Sequence, residues 1–246
     1  MAALLLLATA TTACADDSGA DDDASSTTTN APTTQTTEPT TTTVAREGEP
    51  LVVAEQGLST FPDLVDPQSE LGGYGVILEN PNTDLMATGV RVVTRVLDPE
   101  GAELIVDSAL LNGILPGQRM AVGRTLIEPI EEATSLDVKV EVTAWLPPAS
   151  TEGQLVAENI VTEPELAGGS VTRFTVRSTW PDREEGVDVT AVYRAEDGRI
   201  LSAESTSIDV PLGEPVEGHI RLLSPIPDLA RTEVFVGRGF AALTTG

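Results

Sequence analysis

The stretch Gly89-Val90-Arg91-Val92-Val93-Thr94-Arg95-Val96-Leu97-Asp98-Pro99-Glu100-Gly101 reads as one β-strand closed by a tight turn. Val90, Val92 and Thr94 alternate with Arg91, Val93 and Arg95, so one face can be buried and the other less so. Pro99-Glu100-Gly101 is turn chemistry, because Pro presets φ and Gly accepts positive φ.

Working outward, the same signals return later in the chain. Gly89-Val90-Arg91-Val92 recurs as Gly186-Val187-Asp188-Val189, and the turn recurs as Ala195-Glu196-Asp197-Gly198. Val53-Ala54-Glu55 recurs as Val156-Ala157-Glu158, and Gly72-Gly73 as Gly168-Gly169. Tyr74-Gly75-Val76 before Asn80-Pro81 matches Phe174-Thr175-Val176 before Trp180-Pro181. Leu126, Pro129 and Ile130 match Leu222, Pro225 and Ile226. Asp137-Val138-Lys139-Val140 matches Glu233-Val234-Phe235-Val236. The order is kept throughout, so the chain contains a duplication. Short alternating segments between turn markers predict an all-β fold, two tandem β-sandwiches at 51–146 and 154–246 joined by a connector at 147–153. Asp197-Gly198 between Val192-Tyr193 and Ile200-Leu201 is a hairpin signal, and helix is confined at most to one turn near Ile127–Ala133.

Thr94-Arg95-Val96-Leu97-Asp98-Pro99-Glu100-Gly101, with Asn80-Pro81 before it and Leu115-Pro116-Gly117 after it, resembles the FxLYD family of exported bacterial proteins. The resemblance covers most of residues 51–146 and implies immunoglobulin-like sandwiches; the second copy has Ala195 in place of Asp98. These motifs mark turns and core positions rather than chemistry.

The N-terminus has a different character. Leu4-Leu5-Leu6-Leu7 lies in an apolar run at Ala2–Ala10, too short for a bilayer span of about 20 residues and suited to a signal peptide at 1–13. Thr11-Thr12-Ala13-Cys14 then resembles the lipobox of bacterial lipoproteins, with Thr11 where that family usually has Leu. The resemblance implies that Cys14 is lipidated and becomes the new N-terminus. Cys14 is the only cysteine, and acylation would consume a thiol otherwise left free in an oxidising compartment. An anchor on the extracytoplasmic side of the cell membrane follows, with simple secretion as the alternative.

From residue 14 to residue 50 the chain is rich in Asp and Thr, with Asp21-Asp22-Asp23 followed by a Thr tract broken by Pro32 and Pro39. Such a segment cannot offset its ordering entropy and reads as a disordered stalk of the O-glycosylated type. Extended at about 3.1 Å per residue, it would reach on the order of 100 Å.

Composition narrows the functions. Net charge is −25, with 14 Lys+Arg against 39 Asp+Glu. Such a chain repels phosphate backbones, which argues against nucleic acid as a partner. It is repelled by anionic lipid as well, so membrane attachment falls to the anchor. Apolar residues are 40% but aromatics only 3%, so the core is aliphatic.

Catalytic signatures are missing from the sequence. His219 is the single imidazole, between Gly218 and Ile220 on a predicted strand, and reads as an ordinary surface residue. No strand–turn–helix elbow surrounds a serine. The Cys and His needed for tetrahedral zinc are lacking, and no Gly-rich phosphate loop opens a helix. Glu131-Glu132 and Glu184-Glu185 read as solvated carboxylates. No cofactor or metal is expected. Trp145 ends the last strand of the first copy and Trp180 occupies the turn matching Asn80-Pro81. Packing at the junction of the copies and contact with a ligand are the two readings of these indoles. The function expected is a non-catalytic envelope lipoprotein, an interaction or scaffold module for an envelope protein or a glycan. The alternatives are a ligand- or cation-binding surface module and, further off, a weak hydrolase or enzyme accessory.

Overall fold

The structure, a computed structural model, describes residues 46–62, 70–126, 132–148, 153–165, 169–222 and 226–239. Cys14, the expected signal segment 1–13 and the expected stalk up to residue 45 lie outside the described residues, as do Glu131, Pro129, Ile130, Gly168 and Pro225.

Among the described residues twelve strands follow in order: β1 (Val52–Pro62), β2 (Glu70–Glu79), β3 (Met86–Leu97), β4 (Glu103–Ile114), β5 (Arg119–Leu126), β6 (Ser135–Leu146), β7 (Leu155–Pro164), β8 (Ser170–Ser178), β9 (Glu184–Arg194), β10 (Ile200–Val210), β11 (Val216–Leu222) and β12 (Arg231–Gly237). The expectation of an all-β chain is met. The strands form four three-stranded antiparallel sheets, β1-β2-β5 and β4-β3-β6 in the first half, β11-β8-β7 and β10-β9-β12 in the second. The two halves share one strand order, so the duplication seen in sequence is a duplication of topology.

The opening stretch behaves as its pattern dictates. On β3, Val90, Val92, Thr94 and Val96 are buried, while Arg91 is exposed and Arg95 ion-pairs with Glu103 and Asp137 at 3.0 and 2.9 Å. The following turn is closed by Gly101 N–H donating to Asp98 O (3.1 Å), with Gly101 at φ +84°. The second half builds the same turn: Gly198 N–H donates to Ala195 O (3.0 Å), with Gly198 at φ +86°. The side-chain clamp has moved. Asp98 Oδ1 accepts from Ala102 N–H at 2.7 Å, whereas in the second half Asp197 Oδ1 accepts from Arg199 N–H at 3.0 Å.

Each half has an aliphatic core between its two sheets. Tyr74, Val76, Val90, Val92, Leu111, Met120 and Leu126 are among those closing the first, and Phe174, Val187, Val189, Tyr193, Leu201 and Ile220 among those closing the second. A third buried layer lies between the halves, formed by Ile77 and Ala121 from the outer face of β1-β2-β5 and by Val192, Ile200 and Ala203 from β9 and β10. The four sheets thus stack as one body, with the outer face of one half covered by the other. Strand β9 is consequently buried on both faces, unlike its counterpart β3.

Glycine makes this contact possible. Side chains on the outer face of β1-β2-β5 would hold β10 away. A Cβ on Gly73 would lie 2.6 Å from Ser202 Oγ, one on Gly75 2.8 Å from Ile200 Cγ2, and one on Gly123 2.8 Å from Ala203 Cβ. In the second half the same face of β8 carries Arg173, Thr175 and Arg177, and β11 presents Glu217, His219 and Arg221, because that face meets solvent. Polar bonds cross the contact too: Ser59 Oγ–H to Leu201 O (2.5 Å), Thr125 N–H to Glu204 Oε1 (2.7 Å), and Gln118 Nε2–H to Val236 O (3.0 Å).

The stalk boundary expected at residue 50 falls later than the structured stretch begins. Glu49 N–H donates to Asn82 Oδ1 and Asn82 Nδ2–H to Glu49 O, both at 2.8 Å, and Arg46 pairs with Asp84 at 3.1 Å. Composition missed this because the contacts are made mainly by backbone.

Candidate functional site

The turn between β8 and β9 places Trp180. Ser178 Oγ accepts the Trp180 N–H at 3.1 Å, and Gln154 N–H donates to Thr179 Oγ1 at 2.9 Å, tying the turn to the start of β7. The indole is 3% exposed. Gly153 lies against the ring, where a Cβ would collide, and the Arg238 guanidinium sits 3.9 Å from the ring centroid.

Arg238 is itself neutralised. Its Nη2 lies 2.7 Å from Glu184 Oε1 and its Nε 3.2 Å from Oε2, a bidentate pair with Glu184 wholly buried. This corrects the expectation that Glu184-Glu185 forms a solvated face: the two point apart as strand neighbours must, and Glu185 alone meets water. Sequence gave no warning, because the partner lies 54 residues downstream. Trp180 Nε1 is buried with no hydrogen-bond partner among the described residues.

Trp180 and Arg238 line a cleft of about 280 Å³ between the halves, with the Leu115–Gln118 turn on one side and Gly153, Gln154 and Leu155 on the other. Gln118 is fully engaged, its Oε1 accepting from Leu115 N–H (2.9 Å) and its Nε2 donating to Val236 O. Among the described residues the lining holds no nucleophile, imidazole or carboxylate, so the cleft offers an apolar wall and a spent cation.

The position matching Trp180 in the first half is Asn80, fully buried and used as a clip. Its Nδ2 donates to Leu85 O and Ile114 O at 2.9 Å, and its Oδ1 accepts from Asn82 N–H at 3.0 Å. One place in the repeated plan is thus filled by an amide network in one half and by a stacked indole in the other.

Trp145 lies on β6, half-buried, packed on the first core with Gly48 against its ring. His219 is exposed on β11 beside a groove of about 500 Å³ on the outer face of β11-β8-β7, with Arg173, Glu163 and Glu217 nearby. Arg173 and Glu163 are 3.9 Å apart, a loose surface pair. Among the described residues no group of three or more His, Cys, Asp or Glu is placed to hold a metal ion. Compared with known proteins, the chain matches no family model and no curated sequence.

Proposed function

We propose that the chain is a non-catalytic lipoprotein of the cell envelope, held on the outer face of the membrane through Cys14 and presenting two tandem immunoglobulin-like sandwiches of the FxLYD type as a rigid interaction or scaffold module. The observation that carries this is the run Leu4-Leu5-Leu6-Leu7 ending in Ala13-Cys14, with no second cysteine in the chain. The locked halves support it: a scaffold must hold its surfaces at a fixed angle, and the glycine-lined contact fixes β10 on β1-β2-β5. The stalk that follows Cys14 carries this body away from the membrane toward an envelope protein or a glycan. Cys14→Ala should move the protein from the membrane fraction to the soluble one. Retention of the variant in the membrane fraction overturns the anchor.

A second reading, a ligand-binding surface module, is favoured by the groove beside His219. Glycan-array binding that is lost in Arg173→Ala and His219→Ala, with Tm unchanged, would replace the scaffold reading.

A further inference from the structure

We infer that the free edge of β4 is a homodimer surface, on which a second copy of this chain pairs antiparallel, β4 on β4, around Ser108. Strand β4 is an edge of the sheet β4-β3-β6. Edge strands of monomeric proteins are usually blunted by Lys, Pro, a bulge or a covering element. Strand β7 has a register slip between Glu158 and Val161 and ends in Pro164; β6 points Asp137, Lys139 and Glu141 outward. Strand β10, the counterpart of β4, is covered by the first half. From Glu103 to Ile114, β4 has no Lys, Arg or Pro, and it pairs with β3 without a slip from Ala87–Ile114 to Val96–Ile105.

The solvent face of this strand is apolar. Leu104, Val106 and Leu110 are 38%, 55% and 74% exposed, and they are three of the seven exposed large apolar side chains among the described residues. No other edge strand carries more than one.

Backbone direction limits the register. Asn112 N–H points away from β3, donating to Asp188 Oδ2 at 3.2 Å. By the two-residue alternation of an antiparallel ladder, the N–H and C=O of Val106, Ser108 and Leu110 also point to the free side. An incoming β4 must therefore pair these positions with one another. Centred on Ser108, the ladder sets Val106 opposite Leu110 of the partner twice, and Asp107 opposite Ala109. Centred on Asp107 it would set two carboxylates face to face, which is destabilising. Asp107 is already held inward by the Tyr74 hydroxyl and Arg124. The mode by which β10 docks is closed to β4, because the only glycine-lined sheet face among the described residues is already covered and the equivalent face of the second half carries Arg173 and Arg177.

The test uses the full chain with Cys14→Ala, so that Ser108→Cys adds the only thiol. Oxidation should link two copies through that thiol far faster than through Thr143→Cys, which lies exposed on the opposite edge strand of the same sheet. Sedimentation of the Cys14→Ala chain should show a dimer that strengthens with salt, since a charge of −25 on each copy opposes association. Val106→Lys with Leu110→Lys places like charges opposite each other and should raise the dissociation constant at least about tenfold, or 1.4 kcal/mol, with Tm unchanged. A monomer at every concentration overturns the proposal, as does a dimer indifferent to the two lysines or a cross-link as fast at position 143.

Discussion

Arg194 at the end of β9 is bonded to Glu55 of β1 across the contact between the halves, Nη1 to Oε2 at 2.7 Å. The same guanidinium holds Glu233 through Nε at 2.8 Å and Gly198 O through Nη1 at 2.9 Å. Its side chain is 5% exposed, so this one cation ties a strand of the first half to a strand and a turn of the second. Arg119 and Arg231 lie beside the two carboxylates at 2.5 and 2.9 Å and would remain if Arg194 were lost.

Replacing Arg194 by Met should therefore cost about 3 kcal/mol, the low end for breaking a buried pair, because each orphaned carboxylate keeps a second cation and some water. Urea denaturation measures it. Glu55→Gln should cost less, since Arg194 retains Glu233 and Gly198 O. Equal losses in the two variants would show that Glu55, not the buried guanidinium, dominates.

The glycine face makes a second prediction. A Val at position 75 brings its Cβ within 2.8 Å of Ile200 Cγ2 and 3.2 Å of Ala203 Cβ. Overpacking of this kind costs about 1–3 kcal/mol. The cost should fall on the contact between halves, since Gly75 faces away from the first core. Amide exchange should quicken selectively in β10, whereas Thr175→Val, at the matching half-buried, solvent-facing position of the second half, should leave exchange unchanged. Uniform acceleration throughout the first half would contradict the assignment.

These two positions also explain what could be read beforehand. The strands, their duplication and the turn at Asp197-Gly198 follow from local pattern, since alternation and turn chemistry are short-range. The stacking of the halves is non-local and leaves no short-range signal. Its trace is visible once the copies are compared position by position: Gly73, Gly75 and Ile77 against Arg173, Thr175 and Arg177, small or apolar where covered and polar where wet. Leu71 to Leu78 has apolar or glycine residues at both parities, the mark of a strand buried on both faces. Trp180 stands out by its loop position, whereas nothing local ties Arg238 and Glu184 to it. A lone Arg near the C-terminus and a Glu within an acidic pair carry no signal until folding brings them together.

Acidity should act through Glu204 and Asp188 at the same contact. Burial pushes both carboxyls above their ordinary values, with donors from Thr125 and Asn112 opposing the shift. Between its ordinary and its raised value, such a group holds more protons folded than unfolded, so its favourable contribution is complete below the ordinary value and is lost as pH rises through the raised one. Glu204→Gln keeps an oxygen for Thr125 N–H and cannot ionise. The Tm of the variant minus that of the parent should become more positive as pH rises from about 4, near the ordinary carboxylate value, to neutrality. Glu55 shifts downward, held by Arg194 first, but it is common to both proteins and cancels in the difference. A difference that falls with pH would mean that Glu204 is stabilised as the anion.

Trp180 separates a packing role from a binding one. The ring is sealed between Gly153 and Arg238, and its Nε1 has no partner among the described residues, so the indole's value lies in its volume and its face rather than in its donor. Trp180→Phe removes a buried unsatisfied N–H and keeps an aromatic face for the guanidinium. Losing the donor recovers part of its desolvation penalty, of about 1–3 kcal/mol, and the smaller ring loses some packing, so the two offset and stability should change little. Trp180→Ala empties the site and should cost about 3–5 kcal/mol. It also leaves Arg238 stacked on nothing, though still paired to the buried Glu184. Fluorescence should agree: acrylamide should reach Trp145, which is only half-buried, more readily than Trp180. If Trp180→Phe proved as damaging as Trp180→Ala, the Nε1 donor would have to be engaged, and the cleft bounded by Leu115–Gln118 would be the place to look for what engages it.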